Sequence, residues 1–114
     1  VNVLNNIKNI KKVSGKIAAY AAPAKASTKL NYYGINSDII EFIVEDNPLK
    51  HNKIIPGVNI PIYNVDYLIE KDIKVVIVLA WNFFDYIVDK NKSLIEKGIR
   101  FISIKELEDQ NFNF

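Results

Sequence analysis

Apolar residues near the start of the chain recur with the spacing of an amphipathic helix. They are three or four positions apart, with lysine and asparagine between them: Val3, Leu4, Ile7, Ile10 and Val13. Such spacing places the apolar side chains on one helical face. Ser14-Gly15 then interrupts the pattern. The spacing predicts a lead-in helix over about residues 2–12.

Segments typical of strands and helices alternate along the rest of the chain. The clearest strand is the apolar run Val75–Leu79, because continuous runs belong to strands buried on both faces of a parallel sheet. The predicted strands cover about residues 16–21, 39–44, 60–63, 74–81 and 99–104, and the later helices about 24–33, 66–70 and 82–97. Residues 49–59 are predicted to form a loop, and the tail after Lys105 to be loosely held. The sequence therefore predicts an α/β fold, with a Rossmann-like, mostly parallel sheet of about five strands and helices on both faces.

The composition is that of one globular domain. The 114 residues are 49% hydrophobic and 25% charged, which predicts a single domain over 1–114, with its sheet in about 16–104. The absence of cysteine excludes disulfides and thiolate metal sites, and the single histidine, His51, disfavours a histidine metal cluster or a Ser–His–Asp site. No apolar run approaches a membrane span, and no signal peptide is visible. We therefore expect a cytoplasmic protein without a membrane partner.

Positive charge is concentrated in the first third of the chain. Residues 1–33 contain six lysines and no acid, whereas all thirteen acids lie beyond. This pattern fits either a solvated helix face or a positive field near an anionic ligand. Nucleic acid is not an expected partner, because the net charge is only +2 and arginine and aromatic residues do not interleave.

Three segments follow predicted strands, at the sheet edge where ligands bind in open parallel sheets. They are residues 20–25, 45–47 and 81–84. A helix that starts near Ala24 would direct backbone N–H groups at an anion, and Lys25 would add a charge. The glycine fingerprint of dinucleotide-binding turns is missing from the first segment.

Each side chain in these segments has two interpretations. Glu45 and Asp46 either accept a ribose hydroxyl or form a turn, and Trp81 either stacks on a ligand or packs in a core or between domains. His51 is expected to be solvated. No nucleophile–base pair or carboxylate pair has a useful spacing, so the chain alone offers no candidates for catalysis.

Five ordered blocks resemble the C-terminal domain of the sugar C-methyltransferase family. They are Tyr20–Lys25, Leu30–Ile35, Asn47–Lys50, Ile55–Ile62 and Leu79–Asn82, and Ile99–Ile104 fits the family's final strand. The resemblance implies a three-part enzyme, in which a zinc-binding domain and a central domain that binds S-adenosylmethionine precede this region. The cofactor site and the acid–base residues would lie in that central domain. This chain would have no cofactor of its own and would be inactive alone.

The resemblance also implies a role in holding the substrate. The expected partners are a nucleotide-linked sugar and the preceding methyltransferase domain of the same chain. The family-matching candidate substrate contacts are Tyr20, Pro23, Lys25, Asn31, Trp81 and Asn82, and no catalytic or metal-binding residue is carried over. The alternative is a stand-alone Rossmann-like binding or protein-interaction module without catalysis. A small NAD-binding regulator is disfavoured by the missing glycines.

This sequence departs from the family at three alanines. The family usually has glycine where this chain has Ala19, Ala21 and Ala26. Each added methyl group stiffens the loop and fills space that close backbone approach requires. Either the ligand lies farther from this loop, or the domain is now mainly structural.

Overall fold

A computed structural model describes residues 2–21, 26–55 and 57–114. The helices are α1 (Asn2–Ser14), α2 (Ala26–Tyr33), α3 (Tyr67–Glu70), α4 (Phe84–Lys90) and α5 (Lys92–Glu96). The strands are β1 (Ile17–Tyr20), β2 (Ile43–Val44), β3 (Lys53–Ile55), β4 (Ile60–Tyr63), β5 (Val75–Val78) and β6 (Arg100–Ser103). Short 3₁₀ turns lie at Pro48–Lys50, Trp81–Phe83 and Glu106–Glu108.

The six strands form one mixed sheet in the order β3-β4-β2-β1-β5-β6. Within the part of the chain that the structure describes, five strands are parallel and only β3 runs antiparallel, to β4. The strand order reverses at β1, which has β2 on one side and β5 on the other. Ligands of such sheets bind beyond the carboxyl ends of the strands at this reversal.

The two faces of the sheet carry separate apolar cores, because successive strand residues point to opposite sides. Ile17, Ala19 and Ile77 face one core, which α1 and α2 cover with Ile7, Ile10 and Leu30, among others. Ala18, Tyr20 and Val76 face the other core, which α3, α4 and α5 cover with Leu68, Ile87 and Leu94. Burial on both faces explains the continuous apolar run of β5. The predicted α/β fold, with a mostly parallel sheet and helices on both faces, is confirmed.

The prediction that residues 49–59 form only a loop was wrong. Lys53–Ile55 is an edge strand, and its neighbours Pro48–Lys50 form a 3₁₀ turn. The strand is short, and both Asn52 (φ 63°) and Gly57 (φ 85°) have left-handed backbone conformations. Three residues between two turns are too few to show a periodic pattern.

Two predicted elements differ in extent. The strand expected over 39–44 is reduced to Ile43–Val44, because the amides of Ile39 and Ile40 donate to the carbonyl of Asn36 in a turn. The helix expected over 82–97 is divided at Asn91, whose φ is −110° and whose amide Nδ2 donates to the carbonyl of Ile87 at 2.8 Å. A side chain that bonds to the preceding turn competes with the helical pattern.

The expectation of a loosely held tail was also wrong for its first residues. Leu107 is fully buried beneath α1. The Nδ2 of Asn6 donates to the carbonyl of Leu107 at 2.9 Å, and the Nδ2 of Asn2 donates to that of Glu108 at 3.2 Å. An apolar anchor and two side-chain hydrogen bonds therefore attach the tail to the first helix. Among the described residues, no helix is both long enough and apolar enough to cross a membrane.

Candidate functional site

The candidate site lies at the carboxyl edge of the parallel strands. Ala21 follows β1, Asp46 follows β2, Trp81 follows β5 and Lys105 follows β6. Because parallel strands end at the same edge, four separate segments of the chain meet there. The predicted grouping of the segments after β1, β2 and β5 is therefore present for their described residues, which for the first segment are Tyr20 and Ala21.

Tyr20 is buried at this edge and supports an acid. Its side chain is only 1% exposed, and its ring packs beside that of Phe101, with centroids 5.9 Å apart. Its hydroxyl lies 2.9 and 3.0 Å from the two carboxylate oxygens of Asp46. Burial raises the pKa of Tyr20 far above its ordinary value, with the Asp46 carboxylate acting in the same direction and the Asn91 hydrogen bond opposing it. The hydroxyl therefore stays protonated and donates to Asp46.

Asn91 and Lys90 complete a polar network around Asp46. The Nδ2 of Asn91 donates to the Tyr20 hydroxyl at 3.1 Å, and the Nζ of Lys90 lies 3.1 Å from Oδ2 of Asp46. The hydrogen bond to Asp46 raises the pKa of Lys90. The Asp46 side chain remains 35% exposed. The network thus fixes the Asp46 carboxylate at the carboxyl edge and leaves part of that carboxylate open to a hydroxyl donor.

The neighbouring acid, Glu45, has other contacts. Its carboxylate lies 3.6 Å from Nζ of Lys50, and its carbonyl oxygen lies 2.6 Å from Nε2 of His51. His51 is half-buried. The expectation of a solvated histidine was therefore wrong, because the ring contacts the backbone of the β2 end.

Trp81 begins a 3₁₀ turn directly after β5 and is exposed to 45%. The Nζ of Lys105 lies 4.7 Å from the centroid of its indole ring. An open pocket of about 400 Å³ lies here, and its lining includes Trp81, Asn82, Asp85, Ser103, Lys105 and Glu106. Trp81 is thus not a core residue, and its remaining interpretations are ligand stacking and contact with another domain.

The other candidate residues lie elsewhere. Asn31 is exposed near the end of α2. Its side chain lies against Gly57, in the loop that precedes β4, so closely that a side chain at Gly57 would crowd it. This loop is at the amino end of β4, so the structure does not bring Asn31 together with Trp81 and Asn82. Pro23 and Lys25 lie outside the described residues. The role of all six residues in substrate binding stays a prediction.

The three alanines at which glycine was expected from the resemblance, Ala19, Ala21 and Ala26, have different environments. Ala19 and Ala26 are buried in the core beneath α1 and α2, at 0% and 2% exposure. Ala21 is half-buried and has φ of 72°, in the left-handed region that favours glycine. Only Ala21 therefore shows the backbone conformation that explains a preference for glycine.

The sequence reasoning missed Lys90, Asn91 and Lys105. A signal for Asn91 was present, because it falls four residues after Ile87 and three before Leu94, on the apolar face of the predicted helix. A polar residue on such a face needs a buried partner. Within residues 2–21, 26–55 and 57–114, no three acids or histidines converge to hold a metal ion.

Comparison with known proteins identifies a family. Residues 1–104 match the family described as the C-methyltransferase C-terminal domain. The chain belongs to this family. It is similar to the C-methyltransferase NovU of Streptomyces niveus, with 36% identity over 86 residues, which is 75% of this chain and 20% of NovU. The chain thus spans about a fifth of the length of this curated relative, and the resemblance seen in the sequence is confirmed.

Proposed function

We propose that this chain is the substrate-binding domain of an S-adenosylmethionine-dependent C-methyltransferase that acts on a nucleotide-linked sugar. The family and the similarity to NovU support the methyltransferase assignment. The observation that carries the binding role is the exposed Trp81 beside Asn82 in a pocket at the carboxyl edge. Across the sheet the parallel strands lie in the order β4-β2-β1-β5-β6, so that the third parallel strand of the chain is followed by the second, the first, the fourth and the fifth. This order supports a Rossmann-like domain with its ligand at this edge.

The chain's own residues would bind and orient the ligand. Trp81 offers an exposed aromatic surface, and Asn82 offers both a donor and an acceptor. Asp46, held by Tyr20 and Lys90, would accept a hydrogen bond from a ligand hydroxyl. Helix α2 begins at Ala26, directly after the segment that follows β1, so its first amides and Lys25 are our candidates for a phosphate contact.

We assign the cofactor and the metal to the preceding domains of the parent protein. S-adenosylmethionine would supply the methyl group there. Zinc does not fit this chain, which has no cysteine and one histidine. We also propose a cytoplasmic location, for which the absence of cysteine is the support.

Calorimetry on the 114-residue chain tests this proposal. The chain is titrated separately with a nucleoside diphosphate sugar and with S-adenosylmethionine, and Ile54→Ala, an exposed position on the edge strand β3, is a matched control for Trp81→Ala. We expect the sugar nucleotide to bind wild type and the Ile54→Ala variant equally, the Trp81→Ala variant more weakly, and S-adenosylmethionine not to bind. A micromolar dissociation constant for S-adenosylmethionine would overturn the assignment of the cofactor to another domain.

One observation favours the alternative of a protein-interaction module. Phe83 and Tyr86 are exposed to 58% and 65% and lie on the turn and helix that follow Trp81. Exposed aromatic residues are enriched in protein interfaces. Two measurements test this alternative, namely sugar-nucleotide binding by the chain and association of the Phe83→Ser variant with a methyltransferase domain. If the chain binds no sugar nucleotide and this single substitution abolishes the association, the surface is an interface and the alternative is correct.

A further inference from the structure

We propose that the pocket beside Trp81 takes the base of the nucleotide, and that the diphosphate and the sugar lie outside it. This inference rests on the proposed function in one respect, namely that the ligand is a nucleotide. It adds which part of the ligand occupies which part of the carboxyl edge. It also gives a role to Asp85, Lys105 and Glu106, which the family resemblance did not single out.

The size of the pocket and its aromatic wall suit a nucleobase. Its volume of about 400 Å³ falls within the range of about 300–1,000 Å³ that is usual for small-molecule sites. Trp81 forms one wall with a side chain that is 45% exposed and belongs to neither core. An exposed indole offers a stacking surface that accepts any base, because every base has a π-face.

The charges of the lining residues disfavour phosphate in this pocket. Asp85 and Glu106 contribute two carboxylates, whereas Lys105 is the one cation among the described residues that line the pocket. The Nζ of Lys105 also lies 3.6 Å from the carboxylate of Glu108, outside the pocket. A diphosphate would therefore meet an excess of negative charge.

The same carboxylates suit the edge of a base. All four nucleobases carry N–H donors, and carboxylate oxygens accept from them. Oε2 of Glu106 already accepts the backbone N–H of Ser103 at 2.9 Å, which fixes the orientation of its carboxylate. The amide of Asn82 adds a donor and an acceptor. The pocket thus combines an aromatic wall with an acceptor-rich rim.

Lys105 covers the indole ring until a base takes its place. Its ammonium lies 4.7 Å from the centroid of Trp81 at the surface, where cation–π contacts are weak. Stacking of a base on an aromatic side chain is a stronger interaction. A base can therefore displace the ammonium, which then faces the phosphates outside the pocket.

Trp81 is the only tryptophan of the chain, so its fluorescence reports on this pocket alone. The probes are UDP and dTDP, with ribose 5-phosphate and inorganic pyrophosphate as ligands without a base. We expect UDP and dTDP to quench the emission and the two base-free ligands to leave it unchanged. Quenching by ribose 5-phosphate at the same concentration would overturn the assignment of the base.

Two variants, measured by calorimetry, separate a base from a phosphate in the pocket. Trp81→Leu should weaken UDP binding about tenfold to a hundredfold, from the loss of stacking, whereas Phe83→Leu should leave it unchanged. Asp85→Asn should weaken UDP binding about fivefold if the carboxylate accepts from the base, whereas a phosphate in the pocket would bind more tightly after loss of the negative charge. Tighter binding by the Asp85→Asn variant would overturn the proposal.

The outcomes also distinguish this inference from the proposed function. If UDP or a sugar nucleotide binds the wild-type chain in calorimetry without changing the emission of Trp81, and the Trp81→Leu variant binds equally well, the base lies elsewhere and the proposed function stands. If no nucleoside diphosphate or sugar nucleotide binds at all, both are wrong. Equal melting temperatures of the variants and wild type will show that the changes act on binding, as expected for exposed positions.

Discussion

The hydroxyl of Tyr20 donates to both carboxylate oxygens of Asp46, at 2.9 and 3.0 Å, and this contact joins β1 to the segment after β2. Asn91 fixes its direction, because its amide donates to the same hydroxyl and leaves the phenolic proton for Asp46. A buried aromatic side chain in the core thus positions a partly exposed acid at the carboxyl edge. The contact leaves the Asp46 side chain 35% exposed, whereas Tyr20 is 1% exposed.

Replacement of Tyr20 by phenylalanine tests this contact. The ring would keep its packing, but the hydrogen bond to the carboxylate would be lost, and hydrogen bonds to charged groups are worth about 1.5–3 kcal/mol. We expect Tyr20→Phe to lower the free energy of unfolding by about 2 kcal/mol in urea denaturation. Tyr86→Phe, at an exposed position, is the control and should change it by less than about 0.5 kcal/mol. Equal effects of the two substitutions would show that the contact does not stabilise the protein.

The stability should fall at alkaline pH because of Tyr33 as well as Tyr20. Burial and the hydrogen bond to Glu108 raise the pKa of Tyr33 to about 12. An unfolded tyrosine titrates near pH 10, roughly. A folded pKa above the unfolded value means that the stabilisation is complete below about pH 10 and is lost as the pH rises toward 12. Urea midpoints measured between these pH values should fall less steeply for the Tyr33→Phe variant than for wild type, and parallel curves would contradict the assignment.

Glu108, the partner of Tyr33, gives a pH dependence of stability with the opposite sign. The hydrogen bond from Tyr33 lowers the pKa of Glu108, with a further contribution from Lys105. A lowered folded pKa means that this stabilisation is present above the ordinary glutamate pKa and is lost as the pH falls through the folded value. The Glu108→Gln variant should therefore lose less stability than wild type between pH 5 and about 3. Urea denaturation at these pH values measures it, and identical acid profiles would show that Glu108 is not linked to folding.

The parts of the fold that the sequence predicted correctly have long or continuous patterns. The lead-in helix has an apolar residue on every turn, and β5 is a continuous run, so each element is specified within its own segment. The edge strand β3 was missed because its partner is β4 and its three residues have no pattern of their own. The attachment of the tail was missed because it depends on Asn2 and Asn6, about a hundred residues away in sequence.

The sequence predicted some residues of the candidate site and missed others. The position of Trp81 and Asn82 at the carboxyl edge could be predicted, because the rule of the carboxyl edge needs only the order of strands and loops. Their contact with a substrate stays a prediction. Lys105 was missed because its contact with Trp81 joins segments after two different strands. Asn31, in the family block Leu30–Ile35, lies near the end of α2 beside the loop that precedes β4, and not at the carboxyl edge.

The anchor of the tail should contribute strongly to stability. Leu107 is completely buried, and substitution of a buried leucine by alanine costs about 2–5 kcal/mol. We expect Leu107→Ala to lower the free energy of unfolding by an amount in this range, whereas Gln110→Ala, at an exposed position, should have little effect. Thermal melts followed by circular dichroism compare the two variants. Equal melting temperatures would restore the interpretation of a loosely held tail.

Lys25 is the candidate phosphate contact that the sequence alone suggests. It precedes the first residue of α2, and hydrogen bonds to charged groups are worth about 1.5–3 kcal/mol. Lys25→Ala should therefore weaken sugar-nucleotide binding about tenfold to a hundredfold, while folding stays unchanged. Lys12→Ala, in the exposed face of α1, is the matched control for loss of one positive charge. If the two variants bind equally in calorimetry, Lys25 contributes only to the general positive field.

Ala21 and Ala19 provide a paired test of the departure from the family's glycines. A left-handed backbone costs an L-residue about 1–2 kcal/mol, and glycine loses about 0.5–1 kcal/mol in conformational entropy. Because Ala21 has φ of 72°, Ala21→Gly should raise the free energy of unfolding by up to about 1 kcal/mol. Ala19 lies within β1 and is fully buried, so Ala19→Gly should lower it by about 1–2 kcal/mol. The reverse order of stabilities would contradict the left-handed conformation of Ala21.

The same Ala21→Gly variant tests whether a ligand lies close to the backbone after β1. A glycine removes the methyl group at the carboxyl edge and restores room for close backbone approach. If the methyl group obstructs a ligand that lies against this backbone, sugar-nucleotide affinity should rise in calorimetry when it is removed. If the ligand lies farther away, beside Trp81 and Asp46, stability should increase while affinity stays unchanged. We expect the second result, because the exposed polar and aromatic groups of this edge follow β2, β5 and β6.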